Sequence, residues 1–186
     1  IVFGLSSADY VVPPTACIIQ EELGLPETCL SIEIKHGCSG WVVGLNSAAS
    51  LIMGGCLKRA LLLCGDTSTL LHSPFDKETR PLFGDAGSCT ALEFDTIAST
   101  LEFEHGTRGK DFKSIYTPVG GCRNAVTAKD LEFIEYGPNQ LRRNIDCTMD
   151  GMNVFAFGMS VAPKSVKRLA EKYVLNLEQM DYLFLH

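Results

Sequence analysis

The chain has 186 residues, of which 46% are hydrophobic and 20% charged, and its formal net charge is −6. A chain of this size and composition can bury a substantial core, so it is not the sequence of a disordered protein. The negative charge argues against a nucleic-acid binder, because the only basic run, at Lys164, Lys167 and Arg168, is short. No apolar run reaches about 18 residues and no signal-peptide pattern is present, so we expect no membrane association.

The first third of the chain alternates between strand and helix patterns. Apolar runs at 1–5, 30–34 and 59–65 predict strands, and the segments 14–23 and 39–54 predict helices. Such alternation is typical of an α/β protein with parallel strands and crossover helices. The run at 59–65 has almost no polar alternation, which predicts a strand buried on both faces.

The remaining part of the chain has a less regular pattern. Two β-prone stretches, 88–95 and 97–105, predict a pair of antiparallel strands. The segment 106–123 has little periodicity and marks the expected boundary between two halves. Beyond it, 152–173 predicts one long helix, followed by a last strand at 182–186 that ends in His186.

Cys38 lies where a strand pattern ends, in Lys-His-Gly-Cys-Ser-Gly-Trp, and a small-residue helix begins directly after it. The N–H groups and the macrodipole of a helix N-terminus favour a thiolate over a thiol. This position predicts a catalytic nucleophile, and a buried structural cysteine is the alternative. The helix that follows has no charged residue and carries Gly40, Gly44 and Ala48 at a spacing of four, so we expect it to be buried nearly all round.

The eight cysteines form no CxxC pair and no zinc-site spacing, so we predict no metal site. Most of the seven besides Cys38 lie within apolar patterns, and we expect them to be buried, reduced thiols of a cytoplasmic protein. His186, read from the residues alone, is either a group displayed at a sheet edge or a frayed end.

Five blocks occur in the order SADYVVPPTACIIQEELGL, IEIKHGCSGWVVGL, RPLFGDAGSCTAL, MDGMNVFAFGM and MDYLFLH. Together they resemble the ketoacyl-ACP synthase III enzymes, which are condensing enzymes of the thiolase-like family. The resemblance implies a layered αβαβα fold that is incomplete in this chain, as a fragment lacking the family's N-terminal and C-terminal portions. Residues 1–105 would be the remainder of the N-terminal half, and 106–186 a linker and the start of the C-terminal half.

The resemblance also implies roles for individual residues. Cys38 would be the acyl-accepting nucleophile and His186 the catalytic histidine, with the turn Phe83–Gly87 beside them. Gly151 and Phe155 would contact coenzyme A, although Met152 stands where the family often has a polar residue, which favours an acyl-ACP donor. The asparagine that completes the family's Cys-His-Asn set would lie outside this chain, so we expect the chain alone to be catalytically inactive.

The implied reaction is a decarboxylating Claisen condensation of an acyl-CoA or acyl-ACP thioester with malonyl-ACP, in fatty-acid or related acyl-chain biosynthesis, without a cofactor. A cysteine-dependent acyltransferase, an HMG-CoA-synthase-like enzyme and a non-catalytic partner subunit are the alternatives. The resemblance further implies a homodimer in which the strand at 59–65 pairs with its two-fold mate. His36, two residues before Cys38, is expected to be a packed, hydrogen-bonded histidine or a group that tunes the thiolate.

Overall fold

The structure, a computed structural model, describes residues 1–186. Two compact units can be distinguished by their internal contacts. Unit 1 comprises Ile1–Ser68 and Asp85–Leu101, and unit 2 comprises Thr69–Gly84 and Glu102–His186. The predicted division into halves at residues 105 and 106 stays a prediction.

Unit 1 is built on a four-stranded sheet with the strand order β2-β1-β3-β4. Strands β1, β2 and β3 are parallel, and β4 is antiparallel to β3. The strands and helices of unit 1 are β1 (Val2–Leu5), α1 (Thr15–Glu22), β2 (Ile32–Lys35), α2 (Gly40–Met53), β3 (Arg59–Thr67) and β4 (Asp85–Glu93). The structure thus confirms the three predicted parallel strands and the two predicted crossover helices.

Helix α2 packs one narrow stripe on the sheet. Its buried residues are Gly40, Gly44, Ala48 and Ile52, and they share a core with Val2, Ala60 and Leu62. A Cβ at Gly44 would lie 2.5 Å from Leu62 Cδ1, so glycine allows the helix to approach the sheet closely. The opposite side of α2 carries the exposed Val42 and Met53. The prediction that α2 is buried all round is therefore wrong, because in this chain only the sheet side has a neighbour.

Strand β3 lies inside the sheet. It pairs with β1 through Leu62, Leu63 and Cys64 and with β4 over its whole length. Both of its edges are occupied, so the expectation that this strand pairs with a two-fold mate is wrong. Burial on both faces is also only partly realised, since Ala60 and Leu62 are buried and the residues between and after them are partly exposed.

The predicted pairing of 88–95 with 97–105 is wrong. Strand β4 takes β3 as its partner, and 97–105 forms no strand. The backbone turns after β4, where the Ile97 N–H donates to Asp95 Oδ1 at 2.9 Å. Further on, the Phe103 carbonyl accepts from Lys172 Nζ at 3.2 Å and from the Tyr173 hydroxyl at 3.1 Å. The Phe103 carbonyl, which the sequence pattern placed in a strand, is therefore hydrogen-bonded by side chains of the helix Gly151–Tyr173.

Unit 2 is dominated by one long helix, α3 (Gly151–Tyr173), which confirms the predicted helix with Pro163 in its interior. Two small antiparallel pairs accompany it, β5 (Ile115–Tyr116) with β8 (Thr148–Met149), and β6 (Ile134–Gly137) with β7 (Gln140–Arg142). Residues 182–186 form no strand, so the predicted last strand is wrong. A strand requires a hydrogen-bonded neighbour, and this segment has none.

None of the eight cysteines is buried, which corrects the expectation that most of them are core residues. Cys17, Cys38, Cys56, Cys89 and Cys122 are exposed, and Cys29, Cys64 and Cys147 are partly exposed, all as free thiols. An apolar sequence neighbourhood does not bury a cysteine that faces away from the sheet. None of the helices combines the length and the apolar character needed to span a membrane.

Candidate active site

The carboxyl ends of three parallel strands meet at one edge of the sheet in unit 1. Leu5 at the end of β1 is in register with Lys35 at the end of β2, and Gly4 is in register with Cys64 of β3. Strand β4 begins at the same edge, where Asp85 is opposite Thr67 and Ala86 is opposite Asp66. This is the edge at which α/β proteins collect functional side chains.

Cys38 lies in the turn that joins β2 to α2, three residues after the strand ends and one residue before Ser39, the N-cap of α2. Its thiol is exposed. The Ser39 side chain makes no cap hydrogen bond, so it does not compete for the N–H groups of the first turn. A thiol in this place faces unsatisfied backbone donors, which can stabilise a thiolate or a developing oxyanion.

His36 and Ser39 are close to Cys38. His36 Nδ1 lies 3.0 Å from Ser39 Oγ, which is hydrogen-bond distance. His36 is exposed, so the packed environment expected for it is wrong although it does have a hydrogen-bond partner. His36 and Ser39 are three residues apart, and the sequence around Cys38 did not predict that their side chains form a hydrogen bond.

Cys64 occupies the same edge but has the opposite environment. Burial raises the pKa of its thiol, and the charge of Asp66 raises it further, although a hydrogen bond from the Gly4 backbone lowers it. A thiol with a raised pKa is a poor nucleophile near neutral pH. Of the two thiols at this edge, Cys38 is therefore the better candidate.

Asp66 is the residue at this edge that sequence reasoning missed. Its Oδ1 accepts hydrogen bonds from the Ser6 N–H at 2.6 Å, the Ser7 N–H at 2.7 Å and the Ser7 hydroxyl at 2.9 Å. The Ser7 Oγ in turn accepts from the Thr67 N–H at 2.9 Å. These bonds join the turn after β1 to the end of β3 and define the Asp66 clamp.

A cavity of about 330 Å³ opens at this edge of unit 1. Its lining includes Ser7, Asp66, Thr67, Asp85 and Ala86, and Cys38 is not part of it. The start of β4 and the Asp66 clamp therefore face the same space. Asp85 and Ala86 in this lining belong to the block RPLFGDAGSCTAL.

The other predicted site residues lie in unit 2. His186 is exposed and belongs to no strand. Gly151 is the first residue of α3, and a Cβ there would meet nothing within 4 Å. Phe155, one turn further along α3, is 64% exposed. The roles assigned to Cys38, His186, Gly151 and Phe155 remain predictions.

A buried ion pair is the strongest electrostatic feature of unit 2. Asp76 is 1% exposed and Arg142 is 5% exposed, and Arg142 Nε donates to Asp76 Oδ2 at 2.6 Å. Burial alone would raise the pKa of Asp76, but the hydrogen bonds from Arg142, Thr79 and the Glu78 N–H lower it to about 2. Because both groups are enclosed and Asp76 stays ionised, this pair holds the 69–84 loop to β7.

Comparison with known proteins adds the family. The model of the family 3-Oxoacyl-[acyl-carrier-protein (ACP)] synthase III matches residues 32–109, which include Cys38 and its helix. A Campylobacter jejuni relative is 33% identical over 167 residues, which are 89% of this chain and 46% of that protein. A Fusobacterium nucleatum protein named beta-ketoacyl-[acyl-carrier-protein] synthase III is 29% identical over 192 residues, covering 100% of this chain and 54% of that protein.

Solved structures agree with the sequence relatives. A crystal structure of a 3-oxoacyl-(acyl-carrier-protein) synthase III has a TM-score of 0.90 and 30% identity, over 97% of this chain and 54% of that one. The corresponding enzyme from Pseudomonas aeruginosa has a TM-score of 0.78 and 28% identity, over 97% of this chain and 51% of that one. The chain is similar in sequence and in fold to the 3-oxoacyl-ACP synthase III family. Its fold is thiolase-like, as the five sequence blocks predicted.

The chain spans about half the length of the curated relatives that it matches. The residues that the family model matches include the β2 to α2 turn with Cys38, and also Asp66 at the end of β3.

Proposed function

We propose that this chain carries the acyl-accepting nucleophile of a condensing enzyme that joins an acyl thioester to malonyl-ACP. The observation that supports the proposal is the exposed Cys38 thiol, one residue before the uncapped N-terminus of α2 at the carboxyl edge of three parallel strands. Similarity to the 3-oxoacyl-ACP synthase III family supports the same chemistry, because its members are named for forming 3-oxoacyl thioesters.

In the first step, the Cys38 thiolate attacks the carbonyl carbon of the acyl thioester. The carbonyl π electrons move to oxygen, and backbone N–H groups at the start of α2 hold the resulting oxyanion. When the carbonyl re-forms, the carrier thiolate leaves and takes up a proton. The product is an acyl group on Cys38 and a free carrier thiol, so the step is a group transfer without net oxidation.

In the second step, malonyl-ACP loses carbon dioxide, and the electrons of the broken C–C bond form an enolate. His186 and an asparagine from outside this chain would hydrogen-bond the thioester oxygen on which that charge develops. The enolate carbon then attacks the acyl-enzyme and Cys38 leaves as a thiolate. Each step balances without an external oxidant or reductant, and the thioesters are substrates.

The carrier would lie along the start of α3 in unit 2. Gly151 leaves open space there, and Phe155 offers an exposed ring for an apolar segment of a coenzyme A or acyl-carrier arm. Met152 is 78% exposed and has no polar group to bind a phosphate or an amide. An acyl-ACP donor is therefore proposed ahead of acyl-CoA. The homodimer stays a prediction.

The experiment is mass spectrometry of the protein after incubation with a panel of acyl-CoA and acyl-ACP donors. We expect a mass increase of one acyl group on the peptide that contains Cys38. The Cys38→Ser variant should lose this adduct, and Cys56→Ser, which removes an exposed thiol after the far end of α2, should keep it. Acylation that persists in Cys38→Ser would contradict the assigned nucleophile.

Release of carbon dioxide from malonyl-ACP, measured on the full-length protein because this chain alone is expected to be inactive in condensation, distinguishes between the proposed reactions. Release that depends on a preformed acyl-Cys38 supports condensation. An acyl-enzyme that transfers its acyl group without carbon dioxide release would instead indicate an acyltransferase or an HMG-CoA-synthase-like reaction. Absence of any acyl-enzyme would indicate a non-catalytic subunit.

A further inference from the structure

The Asp66 clamp lies next to the turn that presents Cys38. A Cβ built on Gly37 would lie 3.4 Å from Ser6 Oγ, which is ordinary van der Waals distance, so little free space separates Ser6 from the residue that precedes Cys38. A Cβ built on Gly4 would lie 3.2 Å from the Gly40 carbonyl oxygen, so β1 and the first residue of α2 also approach each other closely. The end of β1 is therefore a close neighbour of the residues on both sides of Cys38.

The Cys38 turn has few other constraints. Gly37 and Gly40 are joined by one backbone hydrogen bond of 2.8 Å, and His36 Nδ1 and Ser39 Oγ are joined across Cys38 at 3.0 Å, while the Ser39 side chain does not cap α2. Cys38 itself is exposed. Because no side chain encloses the thiol, its position depends on the backbone of the turn and on the surface of β1 beneath it.

We propose that Asp66 is a positioning residue for Cys38, acting through Ser6 and Ser7. The inference depends on the proposed function, in which Cys38 forms the acyl-enzyme. Asp66 fixes both backbone N–H groups of the Ser6–Ser7 turn on one oxygen atom, and this turn holds Gly37 in place. When the clamp is lost, Ser6 can move away from Gly37, and the thiol shifts relative to the N–H groups at the start of α2.

The hydrogen-bond pattern separates a positioning role from an electrostatic one. All three donors from Ser6 and Ser7 bind the same atom, Oδ1. Asp66→Asn keeps an acceptor oxygen at that place and removes the charge, whereas Asp66→Leu removes both. If Asp66 acts by holding the turn, Asn should rescue most of what Leu loses. If Asp66 acts through its charge on the thiolate, Asn and Leu should behave alike.

The first measurement is the pH profile of Cys38 alkylation by iodoacetamide, with Cys56 in the same molecule as the internal reference thiol. We expect Asp66→Leu to slow the alkylation of Cys38 relative to that of Cys56 across the profile, because a displaced thiol is no longer held beside the N–H groups at the start of α2. Asp66→Asn should lie closer to wild type than to the leucine variant. Asp95→Asn is the matched control, since Asp95 also accepts a backbone N–H in unit 1, outside the site.

The second measurement is the rate of acyl-enzyme formation as a function of donor concentration. Asp66→Leu should lower the maximal rate by about 10- to 100-fold, the range expected for displacement of a reacting group by up to about 1 Å. The donor concentration at half-maximal rate should change little, because Asp66 does not touch the carrier. Ser7→Ala removes one of the three donors and should give a smaller loss in the same direction.

Two results would overturn the inference. The first is faster alkylation of Cys38 in both Asp66 variants, which would indicate repulsion of the thiolate by the carboxylate. The second is an alkylation profile of Cys38 that is unchanged from wild type in both Ser7→Ala and Asp66→Leu. If Asp66→Leu does not fold, an unchanged profile in Ser7→Ala alone would overturn the inference. Alkylation requires no acyl donor, so it tests the clamp even if the wild-type protein forms no acyl-enzyme and the proposed function fails.

Discussion

The buried pair of Asp76 and Arg142 predicts that unit 2 loses stability in acid. Asp76 Oδ2 accepts from Arg142 Nε at 2.6 Å and from Thr79 Oγ1 at 2.5 Å, while its Oδ1 accepts from the Glu78 N–H at 2.9 Å. These bonds lower the pKa of Asp76 from 3.8 to about 2 despite its burial. A decrease of that size corresponds to about 2 kcal/mol of folding free energy.

The sign follows from the direction of the pKa change. Because the folded-state pKa of Asp76 lies below its unfolded value, the unfolded chain binds the proton first as the pH falls. The contribution of about 2 kcal/mol is complete above about pH 4 and disappears as the pH approaches 2. Asp76→Asn should remove this part of the acid dependence.

The same substitution should also destabilise unit 2 at pH 7. Asn leaves the Arg142 guanidinium buried without its main counter-ion, and breaking a buried pair in this way costs about 3–5 kcal/mol. Glu78 Oε2, 2.9 Å from Arg142 Nη2, remains as a partner, so we expect the lower end of that range. Asp111→Asn is the matched control, because its 2.7 Å pair with Arg108 is about 40% exposed and should be worth at most about 1 kcal/mol.

Urea titrations at pH 7 and pH 3 would test this prediction, with hydrogen exchange measured by mass spectrometry on the peptides 73–84 and 134–142. These peptides contain both partners of the pair, so they report unfolding of unit 2 where the substitution acts. The reasoning would be refuted if Asp76→Asn lost as much free energy between pH 7 and pH 3 as the wild-type protein. It would also be refuted if Asp111→Asn cost as much as Asp76→Asn.

The remaining predictions concern the two longest helices. Gly44→Ala should destabilise unit 1 by about 1–3 kcal/mol, because the new methyl group would meet Leu62 in a packed core. Gly158→Ala in α3, where a Cβ would meet nothing within 4 Å, should instead stabilise unit 2 by about 0.5–1 kcal/mol. If Gly44→Ala and Gly158→Ala shifted the urea midpoint in the same direction, the packing argument would be contradicted. Asp150 caps α3 by accepting from the Asn153 N–H at 3.0 Å, so Asp150→Ala should cost about 1 kcal/mol. Asp150→Asn keeps the acceptor, and its unfolding curve should stay near wild type.

Local patterns in the sequence predicted the elements that carry their own signal. Strand β1 and the small-residue helix α2 lie within their predicted ranges, and β2 and β3 overlap theirs but continue one and two residues further, since strand and helix periodicity are local properties. The helix α1 also ends as expected, because Gly24 adopts a positive φ of 60° directly after its C-cap. The position of Cys38 followed from the same reasoning, as a turn between two such elements.

The missed features depend on partners that are distant in the sequence. Asp66 is 60 residues from Ser6, and Asp76 is 66 residues from Arg142, so no local pattern joins either pair. The two wrong strands, 97–105 and 182–186, have β-prone compositions, but a strand also needs a neighbour whose backbone groups match its own. Composition gives the tendency of a segment, and the pairing decides whether that tendency is realised.

The assignment of Cys38 as the nucleophile depends on geometry rather than on accessibility. Five of the eight thiols are exposed, so a reagent that only senses exposure would label Cys17, Cys56, Cys89 and Cys122 as well. Cys38 differs from them because it precedes an uncapped helix N-terminus and lies on a turn supported by the end of β1. The support is in turn fixed by Asp66, whose hydrogen bonds join β1 to β3. If Asp66 positions Cys38 as proposed, the reactivity of this thiol depends on the whole sheet edge, and it should change when residues that never touch Cys38 are replaced.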